Sequence, residues 1–212
     1  MTACPACGGE LFGWLQIPAI GDDAEVLLKR CESCGLGVRA DASLERPETD
    51  RQPGDAAALL LGDARRVPGE RAELRVPNRQ SVQALLGGRY WAALQPERRL
   101  YATPASLRAL AAAAQARIEV LTTPRRGRGQ SWMWQTILNG LTFNPNFAQA
   151  VVSGRLHPAG LPGRLRFGVD AVVTSLAAIP VALISGPLEL LAALTGRGGE
   201  LVATIDLGRR AG

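Results

Sequence analysis

Four cysteines carry the clearest chemistry in this chain: Cys4, Cys7, Cys31 and Cys34, arranged as two CxxC pairs. Each CxxC turn aims two thiolates at one point, and the glycine after it (Gly8, Gly35) permits the positive φ such a turn uses. Four soft ligands in tetrahedral array suit structural Zn²⁺, and four thiolates leave no open position for a catalytic metal. The 23 residues 8–30 separate the pairs, a tolerant loop length. All four cysteines lie in the first 34 positions, and no apolar leader run precedes them. That pattern points to a reducing, cytoplasmic setting in which thiols hold a metal rather than form disulfides.

The elements that must position these thiols follow from the flanking sequence. Residues 10–14 and 25–29 can pair as strands between the knuckles, which gives a zinc ribbon over residues 1–38. Residues 39–54, RADASLERPETDRQPG, are polar and aperiodic and read as a linker. The rest, residues 55–212, forms the main domain. A helix is expected over 55–67 with Asp55 as N-cap, then a turn at Pro68-Gly69 and a strand over 72–76 with Leu74 and Val76 on one side. A short helix over 81–86 stops at Gly87-Gly88. Thr103 is a natural N-cap with Pro104 in the first helical position, and Leu107 and Leu110 form the inner face of that helix.

Further on, a strand is expected over 118–121, a basic loop over 124–129, and a helix from Ser131 with Trp132 and Trp134 on opposite sides. Another helix covers 147–152. The uncharged run 171–188, AVVTSLAAIPVALISGPL, reads as two buried helical pieces covering the sheet, broken at Pro180 and Pro187. Membrane contact through this run is the less favoured reading. A closing strand is expected over 200–207. The lone histidine, His157, sits in a Pro-rich loop without a partner for catalysis and reads as a surface residue.

Hydrophobic residues at 47% and charged residues at 20% exclude global disorder. The net charge is +5, and Lys29 is the only lysine among the basic residues. Such a balance permits nucleic acid or an anionic membrane as partner without demanding either.

A strand ending in Val-Pro-Asn, then Tyr90-Trp91, then Leu100-Tyr101-Ala102-Thr103-Pro104-Ala105-Ser106-Leu107 resembles the C-terminal half of class I SAM-dependent methyltransferases. The likeness is to the branch that acts on sugars, lipids and other small molecules, some of whose members carry a CPxCG…CxxCGLG ribbon in front. The resemblance implies an α/β fold: the ribbon followed by a truncated Rossmann-like sheet with helices. In it, residues 72–76 would be the fifth strand, 118–121 the next, and 200–207 the last, antiparallel strand. It also implies substrate-side roles for Asn78, Trp91, Arg99 and Tyr101. Two departures limit it. No Gly-rich loop follows a strand upstream of Glu70, so this chain alone is not expected to bind SAM. Arg99 stands where the family has histidine, and arginine cannot serve as a base.

The expected function is therefore a zinc-binding, methyltransferase-like protein, non-catalytic alone, acting through assembly with itself or with a partner that supplies the missing half of the sheet. Two alternatives stand beside it. One is a functional or split SAM-dependent methyltransferase on a small-molecule or sugar acceptor. The other is a zinc-ribbon protein that binds nucleic acid through its ribbon and the Arg125, Arg126 and Arg128 loop.

Overall fold

The structure is a computed structural model that describes residues 3–18, 25–40, 64–67, 71–95, 98–154, 156–158 and 160–206. The polar stretch 41–54 and the first part of the helix expected over 55–67 lie outside those residues. Among the described residues the strands form two four-stranded sheets.

The first sheet takes β1 (Leu11–Pro18), β2 (Glu25–Cys31), β3 (Gly37–Arg39) and β6 (Leu100–Tyr101), in the order β1-β2-β3-β6. Its first three strands belong to the cysteine ribbon, and the expected pairing across the knuckles is present, with Leu11 opposite Cys31 and Gly13 opposite Lys29. The fourth strand comes from the main body: Gly37 pairs with Tyr101 and Val38 with Leu100. The ribbon is thus built into the body by a shared sheet.

The second sheet takes β4 (Ala64–Val67), β5 (Arg71–Pro77), β7 (Arg117–Thr122) and β8 (Glu200–Asp206), in the order β4-β5-β8-β7. In β5 the alternation of apolar and polar residues buries Ala72, Leu74 and Val76 and exposes Arg71 and Arg75. In β8 the same period buries Leu201, Ala203 and Ile205. Both neighbours of β8 run antiparallel to it, so β5 and β7 run parallel to one another on either side. Asn78 and Ala102 form a parallel bridge that links the ends of the two sheets.

Two expectations change here. Residues 64–67 are a strand, not the end of a helix: they pair with Arg71 to Leu74 as a hairpin. Helical spacing in that stretch was weak, and a hairpin ladder prevails over a weak helical preference wherever its backbone groups can pair. The second concerns fold class. Helices combined with sheets whose named strand pairs are all antiparallel give an α+β fold, where the sequence pointed to a truncated Rossmann-like α/β sheet.

Among the described residues the helices are α1 (Val82–Gly87), α2 (Pro104–Ala113), α3 (Arg128–Asn139), α4 (Phe147–Val152) and α5 (Gly160–Leu194). The start of α2 follows the sequence: Thr103 Oγ1 accepts from the Ser106 N–H at 2.9 Å, and Ser106 Oγ accepts from the Thr103 N–H at 2.8 Å. This is a reciprocal cap with Pro104 in the first turn.

The expected pair of buried helical pieces over 171–188 is instead part of one 35-residue helix, α5, with Pro180 and Pro187 inside it. Both prolines lie on the exposed side of the helix, about two turns apart. The helix packs against α3 rather than blanketing the sheet.

Two cores hold the molecule together. One joins Cys4, Cys31, Leu36 and Val38 of the ribbon to Leu74, Val76, Leu107, Leu110 and Leu201 of the body. The other joins Ile17 and Leu28 of the ribbon to Trp91, Tyr101 and Trp132. Ribbon and body therefore share their interiors.

Candidate metal centre

Both cysteine knuckles are built the same way. The Cys4 N–H donates to Gly9 O at 2.7 Å and the Gly8 N–H to Cys4 O at 2.8 Å. In the second knuckle, the Cys31 N–H donates to Leu36 O at 2.8 Å and the Gly35 N–H to Cys31 O at 3.0 Å. Gly8 and Gly35 take φ of 71° and 75°, the left-handed conformation that closes each turn.

The turns bring the four thiols together. Cys4 Sγ lies 3.6 Å from Cys34 Sγ and Cys7 Sγ lies 3.5 Å from Cys31 Sγ. All four sulfurs are within 4.8 Å of one another. A disulfide would need about 2.05 Å. A tetrahedron with metal–sulfur bonds of about 2.3 Å has sulfur–sulfur edges of about 3.8 Å. The cluster could therefore hold a metal ion with little rearrangement, and its four-thiol donor set suits a structural one.

The electrostatics agree with a site designed to be neutralised by a cation. Burial pushes the Cys4 and Cys34 thiols up. Burial pushes Cys31 up as well, but the backbone of Cys34, the Cys7 sulfur and the backbone of Ser33 outweigh it and bring Cys31 down to about 7. One thiolate is thus ready near neutral pH, and metal binding must expel protons from its neighbours.

The second knuckle is fastened to the body through its carbonyls. Thr103 Oγ1 donates to Cys34 O at 2.9 Å, and Arg79 Nε donates to Gly35 O at 2.7 Å. The Arg79 guanidinium also sits 5.4 Å from the centre of the Trp14 ring. The residue that caps α2 therefore also holds the second cysteine knuckle.

The four substrate-side residues behave differently. Asn78 is fully buried: its Nδ2 donates to Gly198 O at 2.9 Å and its Oδ1 accepts from the Gln80 N–H at 3.0 Å. Trp91 is buried, and its Nε1 donates to Gln83 Oε1 at 3.3 Å. Tyr101 is buried 6.0 Å from Trp91, ring centre to ring centre, and its hydroxyl donates to Gln95 O at 2.8 Å. Arg99 is exposed on the strand lead-in. The structure brings Trp91 and Tyr101 together in the second core, with Asn78 at the end of β5 and Arg99 outside. A surface groove of about 370 Å³ lies between α2 and β7, lined by Arg108, Ala112, Arg117 and Glu119 and by none of these four. His157 is exposed, as are Arg125, Arg126 and Arg128. Trp132 is buried, while Trp134 is half-buried and donates from Nε1 to Ala178 O at 3.0 Å.

Sequence reasoning missed a buried polar network along the inner side of α5. Glu189 accepts from Gln83 Nε2 at 2.9 Å and from the Gly199 N–H at 2.7 Å. Burial pushes its carboxyl above the ordinary value of 4.5, and those two donors partly offset the rise. Asp170, also buried, accepts from the Phe143 N–H at 2.8 Å, the Asn144 N–H at 2.9 Å and Asn144 Nδ2 at 2.7 Å. Glu200 is buried with neither carboxylate oxygen hydrogen-bonded among the described residues, and Arg75 Nη1 approaches to 4.0 Å. The signal was present: Asp170 and Glu189 are the two lone acids that bracket the uncharged run.

Compared with known protein families, curated proteins and solved structures, the chain matches none.

Proposed function

We propose that this chain is a zinc-stapled, methyltransferase-like docking protein, non-catalytic on its own, that works by presenting the outer face of α5 for assembly. The observation that carries this reading is the direction in which α5 points. Its inner seam is Asp170, Val181, Ser185, Glu189, Ala192 and Ala193, while Leu161, Leu165, Val169, Val172, Leu176, Ile179, Leu183, Leu190, Leu191 and Leu194 face outward. A helix of a self-sufficient globular protein has the opposite polarity. So long an exposed apolar stripe marks a surface that something else covers.

Other observations support the reading. The closing strand β8 is antiparallel to both β5 and β7, in keeping with the closing strand that the methyltransferase resemblance implies. The flank of β5 away from β8 pairs with β4, so the route by which a partner would extend this sheet at that strand is partly occupied. Asn78, Trp91 and Tyr101 spend their hydrogen-bonding groups inside the protein rather than toward an acceptor. In the cysteine cluster the ion would be Zn²⁺, where it would neutralise the thiolates and fix the two knuckles against the body.

Light scattering tests the docking role. In lipid-free buffer the purified chain self-associates, because the stripe has no other cover, and the double substitution Leu176→Glu with Leu183→Glu makes it a monodisperse monomer. Those side chains are 76% and 72% exposed, so the change removes stickiness without touching the core. A wild-type protein that is already a monodisperse monomer would contradict the proposal.

A further inference from the structure

We infer that the outer face of α5 docks in the plane of an anionic lipid bilayer, an inference that rests on the docking role proposed above and names what covers the stripe. Three observations converge on lipid. The first is shape and polarity. Leu161, Leu165, Val169, Val172, Leu176, Ile179 and Leu183 recur at steps of three and four along a helix of 35 residues, roughly 52 Å long at about 1.5 Å per residue. The most apolar window of that helix is only 11% buried. Leu141, Phe143, Val151 and Val152 are exposed on the neighbouring turn and on α4, and Phe143 reaches α5 through its bond to Asp170. An apolar ridge of this length with no groove opposite it suits a fluid surface.

The second observation is charge. Residues 120–199 contain seven arginines (Arg125, Arg126, Arg128, Arg155, Arg164, Arg166 and Arg197) against two carboxylates, Asp170 and Glu189. That difference equals the net +5 of the whole chain, so the excess charge belongs to the segment that carries the stripe. Both carboxylates are buried and hydrogen-bonded to the body. Arg164 and Arg166 are exposed near the start of α5, and Arg197 is exposed just past its end. Apolar side chains between cationic ends are what a helix at an anionic interface presents. A second copy of the chain would bring the same +5 against itself with no exposed acid on that segment to answer it.

The third observation fixes the orientation. The inner seam of α5 packs on α3, which brings Gln135 and Asn139, and on Gln83 through Glu189. Carrying α5 across the hydrocarbon would drag those polar groups and their network in with it, at a large cost in desolvation. Lying in the interface plane buries the stripe alone and leaves the network in the protein.

The test is flotation of the purified full chain with vesicles of phosphatidylcholine alone and with an equal mixture of phosphatidylcholine and phosphatidylglycerol. The chain floats with the anionic vesicles and binds them at least tenfold more tightly than the neutral ones. Arg164→Glu with Arg166→Glu weakens anionic binding by roughly 25-fold or more, each lost arginine accounting for about fivefold. Leu176→Glu with Ile179→Glu weakens it on the order of a hundredfold, at unchanged metal content and unchanged thermal transition. Equal binding to both vesicle types would overturn the anionic preference and with it the inference. A chain that stays out of both vesicle types but self-associates through a stripe sensitive to Leu183→Glu would overturn lipid in favour of a second copy, while the docking role stands. A chain that does neither would sink both.

Discussion

Cys31→Ser strips the metal from the chain and unfolds the body along with the ribbon. Cys31 is both a candidate ligand and a core residue: it is fully buried, and it packs in the same cluster as Leu36, Leu74, Val76, Leu107 and Leu201. Structural zinc sites of four ligands contribute an apparent binding free energy of about 10–16 kcal/mol at neutral pH, and most of it is folding free energy. A domain is commonly stable by only about 5–15 kcal/mol in all. Loss of the site is therefore comparable with the whole stability of the molecule. Because β3 pairs with β6 and the Cys34 carbonyl accepts from the Thr103 cap, the loss propagates into α2 and the second sheet. Metal analysis should fall from one ion per chain to near none, and near-ultraviolet circular dichroism should lose the signal of the body as well as the ribbon. Cys7→Ser provides the control, since Cys7 is exposed: it removes the ligand with little change in packing and should reproduce most of the effect. A Cys31→Ser chain that keeps its metal, or keeps the original melting temperature without it, would show that the knuckles do not staple the fold.

Trp91→Ala costs about 3–5 kcal/mol, the range for removing a buried large aromatic side chain. Trp91 fills the centre of the second core against Tyr101, with Ile17 and Leu28 of the ribbon in the same cluster. Truncation opens a cavity between ribbon and body and leaves Gln83 Oε1 without its indole donor, while Gln83 Nε2 still holds Glu189. For a chain of this size the loss corresponds to a fall of roughly 6–20 °C in melting temperature. Trp91→Phe keeps most of the volume and loses the donor, so it should fall between the two. Denaturant titration gives the free energies. A change below about 1 kcal/mol on Trp91→Ala would mean that this core does not join the two parts, since a filled cavity of that size cannot be so cheap. The same substitution bears on the substrate-side reading of Trp91, because a residue spent on packing shows its effect in stability.

Much of the local structure was legible because its causes are local. Paired CxxC turns with following glycines determine the knuckles, and the sulfur–sulfur distances agree with that reading. Thr103-Pro104 announced α2, and alternation announced β5 and β8. What was hidden depends on partners far away in sequence. The fusion of ribbon and body depends on a two-residue strand, Leu100–Tyr101, too short to carry a period and paired with β3 far upstream, whereas β4 was hidden by its own brevity, four residues laddered to the adjacent β5. Helix α5 was misread for a different reason. An unbroken uncharged run shows no polar face, so its direction could not be inferred from periodicity, and two prolines suggested breaks where the helix instead continues with both on its exposed side. The bracketing acids Asp170 and Glu189 held the missing information, since a lone carboxylate beside an apolar run must find donors in the protein. Asn78 and Tyr101 illustrate the converse. Their types fit a binding site, but only the tertiary structure reveals that their polar atoms are already satisfied.

The central claim is that this chain docks and does not carry out transfer chemistry alone. Calorimetric titration of the purified, metal-loaded full chain with SAM tests it most directly. The account predicts dilution heats only, at every concentration of cofactor, because the sequence upstream of Glu70 carries no Gly-x-Gly-x-Gly. A saturable heat with one SAM per chain would contradict it.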